Sequence, residues 1–221
     1  SIVEQLLGEG MMEPPIINGE PMGKRGPAWV DGPTDPATGR GIRGFYWTLP
    51  DKEKTPQPYH PHTDGHPFFI GMVGLINDVS EDCGPFMVWP KSHRRLYPKF
   101  QMQYDQPRIP YYEHMPSLKG IINSEDYQRE MEKIQEDTTP VPCHGKEGDV
   151  VIWHHRLAHM AGHNYSDEIR QVVLNDFNHK DLDKLRLDPP QENMWRDWSR
   201  EVQKNNDTYG NKMAKSQGLV R

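Results

Sequence analysis

The chain has 221 residues, 34% of them hydrophobic, with 26 Lys+Arg against 32 Asp+Glu and a formal net charge of -6. A mean hydropathy of -0.90, with no apolar run longer than a core strand, excludes a helical membrane span. A pI near 6.0 lacks the basic footprint of a nucleic-acid binder. The length suits one domain spanning residues 1–221. Twenty-one Pro and 19 Gly make up about 18% of the chain, where ~12% is ordinary, so short strands and long loops are expected. Cys83 and Cys143 are too few for a disulfide framework, and Ser1–Met12 has no basic start followed by an apolar block. Both features favour a reducing, intracellular compartment, the cytoplasm by default.

In chain order, Ile2–Leu7 reads as a helix stopped at Gly8, and residues 13–43 as a Pro- and Gly-rich loop. Arg43–Leu49 is rich in strand formers, and Pro50–Pro61 is a polar loop with four prolines. Phe68–Val79 reads as a buried strand, whose Gly71 and Gly74 let a ligand or a neighbouring backbone come close. A turn at Glu81–Pro85 leads into a strand at Phe86–Trp89. Residues 94–145 are polar and aromatic, with a short helix expected at Glu125–Gln135; with residues 13–43 they are the expected lid. Gly148–Trp153 and Ile169–Phe177 are further strands. Beyond Asp181 the charged tail spaces Trp195, Trp198 and Val202 as one amphipathic helix would. The pattern is mainly β, a barrel or sandwich with flanking helices.

Histidines concentrate in two windows, residues 60–66 and 154–163, as a metal site built from separate strands would require. In the first, an extended segment points His62 and Asp64 to one side and Thr63 to the other. In the second, alternation puts Leu157, His159 and Ala161 on one face, which favours His159 over His154, His155 and His163. Two imidazoles and one carboxylate on one face of an octahedral Fe(II) leave three positions open, enough for a chelating cosubstrate and O2. Arg170 falls on a core strand level with Val172 and Leu174, where a buried guanidinium needs an anion. No protein acid is placed for it, so a bound carboxylic acid is expected.

Four ordered blocks resemble the phytanoyl-CoA dioxygenase family: His62-Thr63-Asp64, Gly84–His93, Gly148–Val151 running into Arg156–His159, and Ser166-Asp167 ahead of Arg170. The resemblance covers roughly residues 43–178. It implies a double-stranded β-helix (jelly-roll) core with flanking helices and long loops. It also implies an Fe(II)- and 2-oxoglutarate-dependent dioxygenase, with His62, Asp64 and His159 as metal ligands and Arg170 on the distal carboxylate of 2-oxoglutarate. The implied reaction is hydroxylation of an aliphatic C–H of a small-molecule substrate by O2, releasing succinate and CO2. Desaturation, ring formation and epimerisation use the same kind of site. No nucleic acid or membrane partner is expected.

Two positions depart from the family pattern. Lys91 stands where the turn before Ser92-His93 usually has Gly, and Ala161 stands where the family often has Gly or Ser, which removes one possible hydrogen bond to the cosubstrate. Related halogenases lack the carboxylate, and Asp64 is present. The alternatives are a zinc hydrolase using His60-Pro61-His62-Thr63-Asp64-Gly65-His66, in which Gly65 spoils the second-metal spacing, and a non-catalytic jelly-roll binding module. His60, His66, His93, His154, His155 and His163 read as flanking or structural. Which of Tyr46, Trp47 and Thr48 faces inward stays open at this point.

Overall fold

The computed structural model describes residues 1–12, 16–17, 20–21, 41–64, 69–99, 125–185 and 188–206, and among them two larger antiparallel sheets and one separate two-stranded pair form. The elements in chain order are α1 (Ile2–Leu7), a short pair β1 (Ile16–Ile17) and β2 (Glu20–Pro21), β3 (Gly41–Thr48), β4 (Ile70–Leu75) and β5 (Phe86–Val88). Then come α2 (Ser92–Leu96), α3 (Glu125–Asp137), β6 (Val141–Cys143), β7 (Val150–His154), β8 (His159–Ala161), β9 (Arg170–Phe177) and α4 (Leu182–Leu185). The larger sheet runs β3-β9-β4-β7 and the smaller β6-β5-β8. These are the facing sheets of a double-stranded β-helix. Among the described residues, no helix is long and apolar enough to cross a membrane.

Alternation decides what the sheets enclose. Val73 and Leu75 of β4, Trp153 of β7 and Val172 of β9 meet Phe86 of β5 in one buried cluster, with Val88, Cys143, Val151 and Leu174 against it. The intervening residues Ile70, Ile152 and Phe177 point outward and pack with Val3 and Leu7 of α1 and with Trp198. Behind the smaller sheet, Met87 and Met160 pack on Leu96 of α2 and on Tyr127, Met131 and Ile134 of α3. Those three α3 positions follow the i, i+4, i+7 spacing of a helix with one buried stripe. Ile134 alone, fully buried, contributes about 1.5–3 kcal/mol through removal of apolar surface from water. Arg95 on α2 ties the two helices together, reaching Glu130 and Asp137 of α3 at 2.6 Å each.

The strands expected at 43–49, 68–79, 86–89, 148–153 and 169–177 form, with ends shifted by a few residues. In the segment expected as a lid, α2 and α3 pack behind the smaller sheet, while residues 100–124 lie outside the described residues. The loop expected at 13–43 is described only at β1, β2 and the start of β3. The tail differs from one continuous helix: Trp195 and Trp198 sit in turns, and only residues 200–206 are helical at its end. Two polar side chains cause the break. Asn193 Oδ1 accepts the Trp195 N–H, closing an Asx turn, and Ser199 Oγ accepts the Val202 N–H as an N-cap. At Gly71, directly opposite Trp153, a Cβ would overlap the indole, so a side chain rather than a backbone or ligand makes the close approach.

Candidate metal centre

His62 and His159 lie about a hundred residues apart in the chain but are opposed neighbours in the fold. They form an antiparallel bridge in which each backbone N–H donates to the other's carbonyl at 2.9 Å. Opposed residues of such a pair project to the same face, and their ring centroids are 4.8 Å apart. Asp64, two residues on in the extended segment, returns to that face. Its Oδ1 lies 3.8 Å from His62 Nε2 and its Oδ2 lies 3.6 Å from His159 Nε2. One donor atom from each of the three lies within 4.8 Å of the others.

The local structure around each residue explains its aim. His159 Nδ1 lies 2.8 Å from the Leu157 carbonyl; a carbonyl only accepts, so Nδ1 donates to it and Nε2 is the ring nitrogen left facing Asp64. The ring is held between Phe86 and Trp153, whose centroids lie 5.1 and 5.5 Å away. Upstream, the turn Pro90-Lys91-Ser92 clamps the chain entering β8. Ser92 Oγ donates to the Trp89 carbonyl at 2.7 Å and accepts the Ala158 N–H at 2.8 Å. Asp64 and His159 are 7% and 6% exposed at their side chains, and His62 is 53% exposed, so the cluster opens to solvent on the His62 side.

Arg170 begins β9, on the sheet facing the one that carries His159. It is 5% exposed, and its Nε has no hydrogen-bond partner among the described residues. Burial pushes its pKa down, and the nearby Cys83 opposes the shift only partly. A cation held in this way is costly unless an anion joins it. The register settles the neighbouring question. Thr48 opposes Arg170 and Tyr46 opposes the buried Val172, so Tyr46 and Thr48 face the interior while Phe45 and Trp47 face out. Tyr46 is 42% exposed although it faces inward, which leaves open space beside it.

The donor set fits a metal ion: two neutral-capable imidazoles and one carboxylate converge on a single volume, with one tautomer already fixed. Arg170 in turn fits a carboxylate ligand. The other histidines stand elsewhere. His60 is exposed and its N–H meets Met160 Sδ; His163 stacks on Tyr59; His93 and His154 pack with Trp195. His155 is buried outside the cluster, and His66 lies outside the described residues. The sequence reading missed Tyr127, whose phenol oxygen lies 2.8 Å from Thr63 Oγ1 and accepts the Thr63 N–H at 3.2 Å. Its place in the buried stripe of α3 was legible; its reach to Thr63 was not.

Among solved structures the chain is similar to EctD from S. alaskensis with bound Fe, at 18% identity and a TM-score of 0.38, covering 69% of this chain and 49% of that one. It is also similar to the non-heme alpha-ketoglutarate-dependent carbocyclase SnoK from nogalamycin biosynthesis, at 21% identity and a TM-score of 0.35, covering 69% and 60%. EvdMO1 aligns at 17% identity and a TM-score of 0.40, covering 62% and 26%. The chain thus spans less than two thirds of the length of each. No curated protein sequence matches it. Residues 35–172, more than half of the sequence, match the model of the phytanoyl-CoA dioxygenase family, and the chain belongs to that family.

Proposed function

We propose that the chain is an Fe(II)- and 2-oxoglutarate-dependent dioxygenase that hydroxylates an aliphatic C–H of a small-molecule substrate. The observation that carries the reading is the convergence of His62, Asp64 and His159 within 4.8 Å, in a chain of this family. In this reading His62 Nε2, His159 Nε2 and one Asp64 oxygen hold the iron. The chemistry such an iron supplies is O2 activation coupled to decarboxylation of 2-oxoglutarate, one oxygen atom going to the substrate C–H and the other to succinate as CO2 leaves.

The protein's own residues position and shield. The Leu157 carbonyl holds the His159 ring by its Nδ1–H, and the bridge to His62 sets the two rings side by side. Arg170 offers a planar pair of donors to the distal carboxylate of 2-oxoglutarate, which gives a buried guanidinium the anionic partner it needs. Thr48 lies on the same face beside it, and Val172, Phe86 and Trp153 exclude water from the floor. The carboxylate of Asp64 supports oxygen insertion over halide capture.

Anaerobic titration with Fe(II) and 2-oxoglutarate, read by the weak visible charge-transfer band of the chelate, tests this. Wild type gives the band, His159→Ala loses it, and Arg170→Ala needs at least about tenfold more 2-oxoglutarate, since a charged bidentate contact is worth roughly 1.5–3 kcal/mol. Tight zinc binding with no band in wild type overturns the proposal in favour of a hydrolase. Product analysis with candidate substrates then separates hydroxylation from ring formation or epimerisation.

A further inference from the structure

We propose that Tyr127 is a positioning residue for the metal centre, holding His62 and Asp64 in place through Thr63; the inference rests on the metal-site reading above. Thr63 is the residue between the two ligands and points away from them, 2% exposed. Its backbone N–H donates to the Tyr127 phenol oxygen at 3.2 Å, and its hydroxyl lies 2.8 Å from the same oxygen. That oxygen accepts from the N–H and uses its own proton or a lone pair with Oγ1, so one side chain satisfies two polar groups of the ligand-bearing segment.

The rest of the segment is held differently. The N–H and carbonyl of His62 are committed to the His159 bridge, which secures the segment on the interior side and along its edge. Tyr127 supplies the second point of attachment, from the opposite side. Two points fix the orientation of an extended tripeptide where one does not.

Tyr127 is itself rigid. It is 3% exposed, and α3 seats it with Met131 and Ile134 against the outer face of the smaller sheet. Burial raises its phenol pKa, against a partial offset from its hydrogen bonds with Thr63, so the hydroxyl stays protonated at neutral pH. Helix α3 is thus joined to the candidate ligands by one side chain, although its packing surface lies behind the sheet.

The test uses Co(II) alone as probe, with anaerobic calorimetry for affinity and the visible ligand-field bands for geometry. Tyr127→Phe keeps the ring and removes the oxygen; the expected result is Co(II) affinity about tenfold weaker or more, with altered bands, as for partners that orient metal ligands. Met131→Ala loosens the same helix without touching Thr63 and is expected to lower Tm while leaving the Co(II) affinity and bands as in wild type. Wild-type affinity in Tyr127→Phe, or an equal loss in Met131→Ala, overturns the positioning role and leaves the metal site standing. Co(II) binding that survives His159→Ala overturns the metal site, and the inference falls with it. Where Tyr127→Phe does not fold, Thr63→Val decides, since it deletes the hydroxyl contact and keeps the N–H. A smaller loss in the same direction supports the role, and unchanged affinity overturns it.

Discussion

Lys91 adopts φ 67 and ψ -3, the left-handed region, at the N-cap of α2. A side chain there costs about 1–2 kcal/mol, because Cβ crowds the neighbouring carbonyl. The lysine at this turn is therefore more than an exchange of loop residues; it places strain in the turn whose Ser92 clamps the approach to His159. Lys91→Gly is expected to raise stability by about 1 kcal/mol or less, once glycine's greater freedom in the unfolded chain is set against the relief. Chemical denaturation of the two proteins measures it. At this scale the convergence of His62, Asp64 and His159 was legible, because the period of a strand orders side chains within each short window. The inward set of Tyr46 and Thr48 was not, since it depends on the pairing register with β9, and no local pattern carries that register.

Between elements, Trp153 of β7 lies closely over Gly71 of β4. The indole fills the space a Cβ would take and in the same position borders Phe86 and His159. Gly71→Ala is expected to cost about 1–3 kcal/mol by overpacking. It should also change the near-UV circular dichroism of the tryptophans and, through the displaced indole, weaken metal binding at His159. Conserved near-UV signal and unchanged stability would show that the strands part freely. Strand β6 illustrates what sequence pattern misses. Pro142 argues against a strand, yet it pairs with Met87 on the edge of the smaller sheet, where one side of the backbone needs no partner. The tail was misread for a related reason: the 3–4 spacing of Trp195, Trp198 and Val202 places three apolar groups on the domain, and turns at Asn193 and Ser199 achieve the same burial without one helix.

For the molecule as a whole, two neutral histidines lie where the tail meets the body. His93 and His154 are 5.5 Å apart by ring centroid and pack with Trp195, while Trp198 stacks on His154 at 5.3 Å. Burial, with Arg94 adding, pushes His93 down to about 4, and burial drives His154 well below its ordinary value. His154 Nδ1 already accepts the Arg156 N–H, a bond that protonation would break. Both folded-state values lie below the unfolded one, so the unfolded chain takes up protons first as the solution is acidified. The contribution of their neutral forms is fully present above about pH 6.5 and is lost as pH falls from there towards the value of about 4 at which folded His93 takes up its proton. Urea midpoints across pH 4–7 should show the decline, and His93→Gln should flatten part of it; a flat profile in the wild type would place these rings in water. The mainly β architecture and its flanking helices were legible from Pro and Gly usage and strand period, whereas the packing of tail and α1 onto one outer sheet face is a long-range outcome.

The bridge between His62 and His159 has a thermodynamic corollary. A ligand set whose members are about a hundred residues apart does not survive in the unfolded chain, so a metal ion held there binds only the native state. Occupancy then enters the folding equilibrium directly: free metal at a hundredfold excess over its dissociation constant raises the unfolding free energy by about 2.7 kcal/mol. Chelation would withdraw that increment, and because the bridge joins the segment after β3 to the edge of the smaller sheet, its loss should be felt as a lower melting temperature of the whole barrel and not as local fraying.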